Sequence, residues 1–315
     1  MSYVLRPASM RDAQAVVDLC NADEARFRGA ATHDLESRRL FWQRAQFDLQ
    51  ADTRVAALPD GSLAAYAVVQ DRPQEPTIQA ALWLDPTVHA PEIQAKLLDW
   101  LEARARDRRF VPPAASVLAQ KIASEDKARA QCLLQRGYKL VRHFMRMRID
   151  LASCPTPPRF PAGIAVRAMC QEQDLPPLSI VCQEAFHEHW GHVPRTLEDD
   201  VVRYEQWLAD DPNLDLSFWH LAFDGAEPVG ACLGTAHWPG KEELAYVFTL
   251  GVRPDWRGRG IGKALLQHAF HTFYQANRRS IELDVDAENS TGALRLYTSV
   301  GMTPKWQKDL YELAL

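Results

Sequence analysis

The chain has 315 residues, 47% hydrophobic and 24% charged, which suits two globular domains and excludes a disordered, collagenous or coiled-coil protein. No run of 18 apolar residues occurs, and the start Met-Ser-Tyr-Val-Leu-Arg-Pro lacks the basic and apolar regions of a secretory signal, so a cytoplasmic protein without a membrane partner is expected. The net charge of -5 joins 22 basic and 19 acidic residues over 1–150 to 14 basic and 22 acidic over 151–315, and neither part is basic enough to make nucleic acid the expected partner.

In chain order, 3–7 predicts a short strand, 11–27 and 35–49 two helices, and 55–58 and 63–70 two strands joined by Pro59-Asp-Gly-Ser. A longer strand at 77–84 leads into a helix rich in Ala and Leu, and a strand, a helix and a final strand close the half. Residues 153–163 hold four prolines in eleven positions, which neither a helix nor a central strand accepts, and read as a linker. The same order then recurs: a strand at 164–168, helices at 171–186 and 197–208, strands at 218–223, 229–236 and 244–252, and a helix at 264–274. Residues 84–98 lie on 252–266 without gaps at an offset of 168, Pro86 on Pro254, so an internal duplication is expected. The domains are drawn at 1–152 and 164–315. Six cysteines lie far apart with no C-x-x-C pair, and read as reduced thiols rather than disulfides or zinc ligands.

Only 3 of the 15 glycines precede residue 151. The densest group is Arg257-Gly-Arg-Gly-Ile-Gly-Lys263, between an apolar strand and a helix. Gly258, Gly260 and Gly262 let successive N–H groups converge where the helix begins, and Arg253, Arg257, Arg259 and Lys263 add positive charge. The product is a cradle for a pyrophosphate. It is not a Walker A loop, since no Ser or Thr follows Lys263, and the glycine spacing is not that of a Rossmann turn.

Arg257-x-x-Gly260-x-Gly262 after Leu250-Gly251-Val252 resembles the acyl-CoA loop of the GNAT superfamily of N-acetyltransferases. Asn289-Ser-Thr-Gly-Ala-Leu-Arg-Leu-Tyr297-Thr-Ser-Val-Gly301-Met resembles the later helix of that superfamily. The resemblance covers 164–315, with 1–152 as a degenerate copy in a tandem, mycothiol synthase-like layout. It implies an α/β fold of two GNAT-like domains, each a mixed twisted sheet flanked by helices, with acetyl-CoA as donor and no metal. The backbone of Leu250, Gly251 and Val252 is then expected to pair with the pantetheine arm and polarise the thioester carbonyl. Arg257, Gly258, Arg259, Gly260, Ile261, Gly262 and Lys263 hold the pyrophosphate, Asn289 fixes the arm, and Tyr297 protonates the departing thiolate.

In the first half the repeat places His89, Ala90, Glu92 and Gln94 at the positions of Arg257, Gly258, Gly260 and Gly262, and Leu133 and Glu125 at those of Tyr297 and Asn289. A carboxylate opposes a pyrophosphate and Pro91 lacks an N–H, so no cofactor site is expected there. In the tandem layout a glutamate on the strand before the loop is the general base. The matching residue here is Tyr246, and Glu243, three residues earlier, is the other candidate, equally readable as a solvated strand end. His187, His189, Trp190 and His192 end the first helix of this half and read either as an acceptor-binding cluster or as a polar helix terminus. With His187 and His189 two apart, they do not form a zinc motif. The expected acceptor is a small-molecule amine. An acyl-CoA sensor without turnover and a protein or peptide N-acetyltransferase are the alternatives.

Overall fold

A computed structural model describes residues 2–28, 32–70, 77–108, 116–238, 241–289 and 292–315, with the side chains of 171 and 172 left aside. Two units divide the chain: residues 1–144 with 306–315, and residues 145–305.

Unit 1 begins with β1 (Val4–Arg6), α1 (Ala13–Arg28), α2 (Leu35–Trp42) and α3 (Leu49–Asp52). The single helix expected over 35–49 is therefore two. Asp48 starts a second nucleus by accepting from the N–H groups of Gln50 and Ala51, as an N-cap does. Then come β2 (Thr53–Ala57), β3 (Leu63–Gln70), β4 (Thr77–Leu84), α4 (Pro91–Arg108), β5 (Val117–Ala123), α5 (Lys127–Gln135) and the start of β6 (Lys139–Asp150). Strands β1 to β4 pair antiparallel in sequence order and β4 pairs β5 parallel. One apolar cluster joins this sheet to α4 through Ile93, Leu97, Leu98 and Leu101, and another joins it to α1 through Val16, Leu19 and Cys20.

Unit 2 repeats the order with β7 (Ile164–Ala168), α6 (Gln171–Phe186), α7 (Leu197–Asp210), β8 (Trp219–Asp224), β9 (Glu227–Thr235), β10 (Leu244–Val252), α8 (Ile261–Gln275), β11 (Ser280–Asp286) and α9 (Ala293–Ser299). Here β7 to β10 are antiparallel neighbours and β10 pairs β11 parallel. The core runs through Trp219, Leu221, Leu265, Phe273 and Leu283.

The boundaries differ from the expected 1–152 and 164–315 at the last strand of each half. Lys308–Ala314 of β12 (Thr303–Ala314) pairs antiparallel with β5 in unit 1. Residues 145–150 of β6 lie beside β11 in unit 2, where Leu151 N–H donates to Arg279 O at 2.7 Å. Strand pairing is non-local, and both final strands offer a similar alternating face, so local pattern does not say which sheet each one joins.

Candidate active site

Parallel strands β10 and β11 stay in register only from Leu244–Ser280 to Val247–Leu283, and then part while β10 runs on to Val252. The pairing with β9 slips between Val247 and Thr249, a bulge centred on Phe248 that increases local twist. The result is a fork. Arg253 N–H donates to Val229 O on the β9 side at 3.0 Å, so by strand alternation the backbone groups of Leu250 and Val252 face the open side.

The glycine loop stands at the mouth of the fork. Gly258 and Gly260 adopt φ of 76° and 87°, the left-handed region that an L side chain resists, and Gly260 is the N-cap of α8. The first intrahelical bond runs from Ala264 N to Gly260 O at 3.0 Å, so the amides of Ile261, Gly262 and Lys263 precede it and point out of the helix end. A cleft of about 260 Å³ joins these parts. It is lined by Leu250 to Val252, Gly258, Gly260 to Lys263, His189 and, from α9, Leu296 and Tyr297.

The expected cofactor residues divide by what their side chains already hold. Arg257 donates to Val252 O at 3.1 Å and to Ala185 O at 2.9 Å, and Arg253 is held by Glu184 and Glu227, so both guanidiniums brace the loop. Arg259 donates to Asp255 O at 3.1 Å and is exposed, as is Lys263. Asn289 Nδ2 stands 3.1 Å from His189 Nε2, and burial keeps the pKa of His189 low, so the neutral ring accepts from the amide. Residues 290 and 291 of the second motif lie outside the described residues. Tyr297 is buried, and burial raises its pKa, so it remains a phenol at neutral pH.

Of the histidine cluster, His189 alone lines the cleft. His187 and His192 pack on each other with ring centroids 5.5 Å apart, and Trp190 is exposed. Glu243 is exposed ahead of β10, with its carbonyl accepting from Arg279 and Ser280. Seven residues from Leu250, it lies roughly 20 Å along the strand from the Leu250 backbone that faces the cleft. Tyr246 is on β10 just before the fork, and its pKa is raised by burial and then by the nearby charge of Asp284.

The side chains on that face were not foreseen. A Cβ on Gly234 would lie 2.6 Å from the ring of Phe273, so Gly234 and its partner Val247 face α8, and Tyr246 faces away. Register puts Glu282 and Asp284 on the Tyr246 face. There Arg146 donates through Nε to Asp284 at 2.7 Å and through Nη1 to Glu282 at 3.1 Å. Its guanidinium also lies 4.7 Å from the centroid of Tyr246 and 5.5 Å from that of Trp238. The signal in the sequence was Ile281-Glu-Leu-Asp-Val-Asp286, whose alternation sets three carboxylates on one face.

Unit 1 has the corresponding fork, filled. β4 and β5 part after Ala80–Gln120, and β4 continues to Leu84. At the offset of 168, Leu82 and Leu84 stand for Leu250 and Val252. Arg129 donates to Leu82 O at 2.7 Å, Asp23 accepts from Leu84 N–H at 3.3 Å, and the two side chains pair at 2.9 Å. About 60 Å³ of space is left. Among the described residues no cluster is arranged to hold a metal ion, and no helix is long and apolar enough to cross a membrane.

Comparison with known proteins agrees with this geometry. Residues 181–302 match the acetyltransferase (GNAT) family. The chain is 32% identical over 192 residues to a mycothiol acetyltransferase of Actinosynnema mirum, covering 60% of this chain and 61% of that one, which is under two thirds of the relative's length. It is 29% identical over 255 residues to a mycothiol acetyltransferase of Geodermatophilus obscurus, covering 79% and 78%. The crystal structure of a GCN5-related N-acetyltransferase from Sphaerobacter thermophilus superposes with a TM-score of 0.83 at 29% identity, over 99% of this chain and 95% of that one. With the forked sheet built twice and the loop, bulge and tyrosine present in the second copy, residues 181–302 match the GNAT family of acetyltransferases and the chain as a whole is similar to GNAT proteins in a tandem arrangement.

Proposed function

We propose that unit 2 transfers the acetyl group of acetyl-CoA directly to the amine of a small-molecule acceptor. The observation that carries this reading is a single cleft that combines an open strand edge, a positive-φ glycine turn at a helix start and a buried tyrosine. The residues present fit the donor: amides converge for a diphosphate, and a strand edge lies open for an amide-bearing arm. Relatives named for mycothiol point to a small-molecule acceptor. The free cysteines suit a reducing compartment, and the reading assigns the protein to the cytoplasm.

On this reading the amides of Gly258 to Lys263 hold the diphosphate, with Lys263 and Arg259 adding charge and Arg257 bracing the loop. Leu250 and the Val252 N–H bond the arm as an added strand. The Leu250 N–H faces the thioester carbonyl and stabilises the charge that grows on its oxygen as the amine attacks. Tyr297 gives its proton to the sulfur as the C–S bond breaks. Burial destabilises a thiolate as it does a phenolate, so the two acidities stay close enough for transfer. His189 lines the cleft, and Asn289 holds its ring through Nε2.

Release of CoA thiol in the presence of acetyl-CoA and a panel of primary amines tests the reading. Thiol release with at least one amine, matched by an acetylated product, is expected. Binding of acetyl-CoA with no amine acetylated would overturn it in favour of a sensing role.

A further inference from the structure

We infer that Asp284 is the general base of the transfer, positioned by Arg146 and Tyr246. The inference rests on the acetyl-transfer reading above. With the diphosphate at the loop, the arm runs inward along β10, so the reacting carbon comes beside Leu250, on the open side of the fork whose apex lies at Val247 and Leu283. Asp284 is the first residue of β11 beyond that apex. Its side chain is on the face away from α8, together with Tyr246, and on this inference the acceptor amine approaches from that face. The carboxylate retains 27% exposure.

The residues around it divide the work. Arg146, from β6, holds Oδ1 through Nε at 2.7 Å, with Nη2 3.4 Å from Oδ2, and orients the group. Glu282, on the same strand, is held by Arg146 at 3.1 Å and by Arg148 at 3.2 Å, and is buried below the sheet surface. Tyr246, from β10, carries a raised pKa set by burial and by the Asp284 charge, so it stays protonated and is no base itself. Trp238 and Phe248 flank Tyr246, with ring centroids 4.9 and 5.6 Å away, and supply an apolar wall to the same face.

The amine nitrogen forms its bond to the acyl carbon and loses one proton to the Asp284 carboxylate. The C–S bond breaks, and sulfur takes the Tyr297 proton. Protonated Asp284 and the Tyr297 phenolate then return to their starting states through solvent, leaving amide and thiol.

The test is Asp284→Asn, read by acetyl-CoA affinity, melting temperature and the pH dependence of kcat and KM for an accepted amine. The predicted result is acetyl-CoA affinity within about twofold of wild type, KM for the amine within about threefold, and kcat lowered about 100-fold or more. The residual rate should climb with pH as the free amine supplies its own lone pair. Because Arg146 loses its partner charge in that variant, Asp284→Glu is measured beside it. It keeps the charge, moves the carboxylate by one methylene, and should melt as wild type with kcat down about tenfold. A kcat within threefold of wild type in the Asn variant, a loss confined to KM, or full activity with Glu would overturn the inference. A wild-type protein that acetylates no amine would instead overturn the acetyl-transfer reading on which it stands.

Discussion

Both units split a parallel strand pair at the corresponding place, but what enters the split differs. In unit 1 the chain satisfies its own exposed strand edge: Arg129 takes the carbonyl of Leu82, and Asp23 takes the N–H of Leu84. In unit 2 the equivalent groups of Leu250 and Val252 border a cleft about four times larger. Buried backbone groups must find partners, so a fork that takes no ligand has to be closed from within. The ion pair in unit 1 therefore occupies the place of a ligand. Loss of the glycine turn and gain of the plug are two sides of one change.

Gly260→Asp would bring to unit 2 the acidic character that Glu92 gives unit 1, at a backbone φ of 87° that opposes any side chain. Affinity for acetyl-CoA, followed by calorimetry, should fall about 100-fold or more, from repulsion of the diphosphate and distortion of its cradle. Tyr297→Phe should leave that affinity unchanged and lower kcat about 100-fold, separating holding the donor from releasing the thiol.

Arg129→Met acts on the other fork. It leaves Asp23, 3% exposed, paired with the more exposed Arg26 but without Arg129, and Leu82 O without this donor. Unfolding in urea should show a loss of about 3 kcal/mol, with acetyl-CoA affinity unchanged.

Acid should separate the units more gently. Burial, then the neighbouring His268, lowers the pKa of His220 in unit 2 to about 4. The unfolded chain binds that proton below about 6.5, so this contribution is complete above pH 6.5 and is lost as pH falls toward 4, by roughly 3 kcal/mol at most. Glu24, beside the unit 1 fork, is pushed up by burial but pulled down further by His33, Arg28 and Thr32, to about 2. Its contribution survives until pH falls below about 4.5. Hydrogen exchange between pH 7 and 5 should accordingly show protection lost first around β8, and His220→Leu should remove that loss.

Much of this was legible before any coordinates. The glycine turn, the strand at 244–252 and the helix at 171–186 are local signals, and β10 and α6 match them to the residue. Helix α6 does so despite Pro176 and Pro177, because Asp174 is fixed by Arg167 and by Cys170 N–H at its start. What escaped was non-local. The plug brings residues 23, 82 and 129 together, and the proposed base brings 146, 246 and 284. Neither set shares a segment. Arg257 read as a phosphate ligand, and Arg253 as added positive charge, because spacing reports charge but not the carbonyl or carboxylate that already holds it. Glu243 read as a candidate base because counting along a strand does not show where the strand's partner leaves it.

The central claim is that one fork is open and the other sealed, and titration of the wild-type protein with acetyl-CoA in a calorimeter tests it most directly. Saturable heat with one site per chain is expected. No binding, or two equivalent sites per chain, would contradict it.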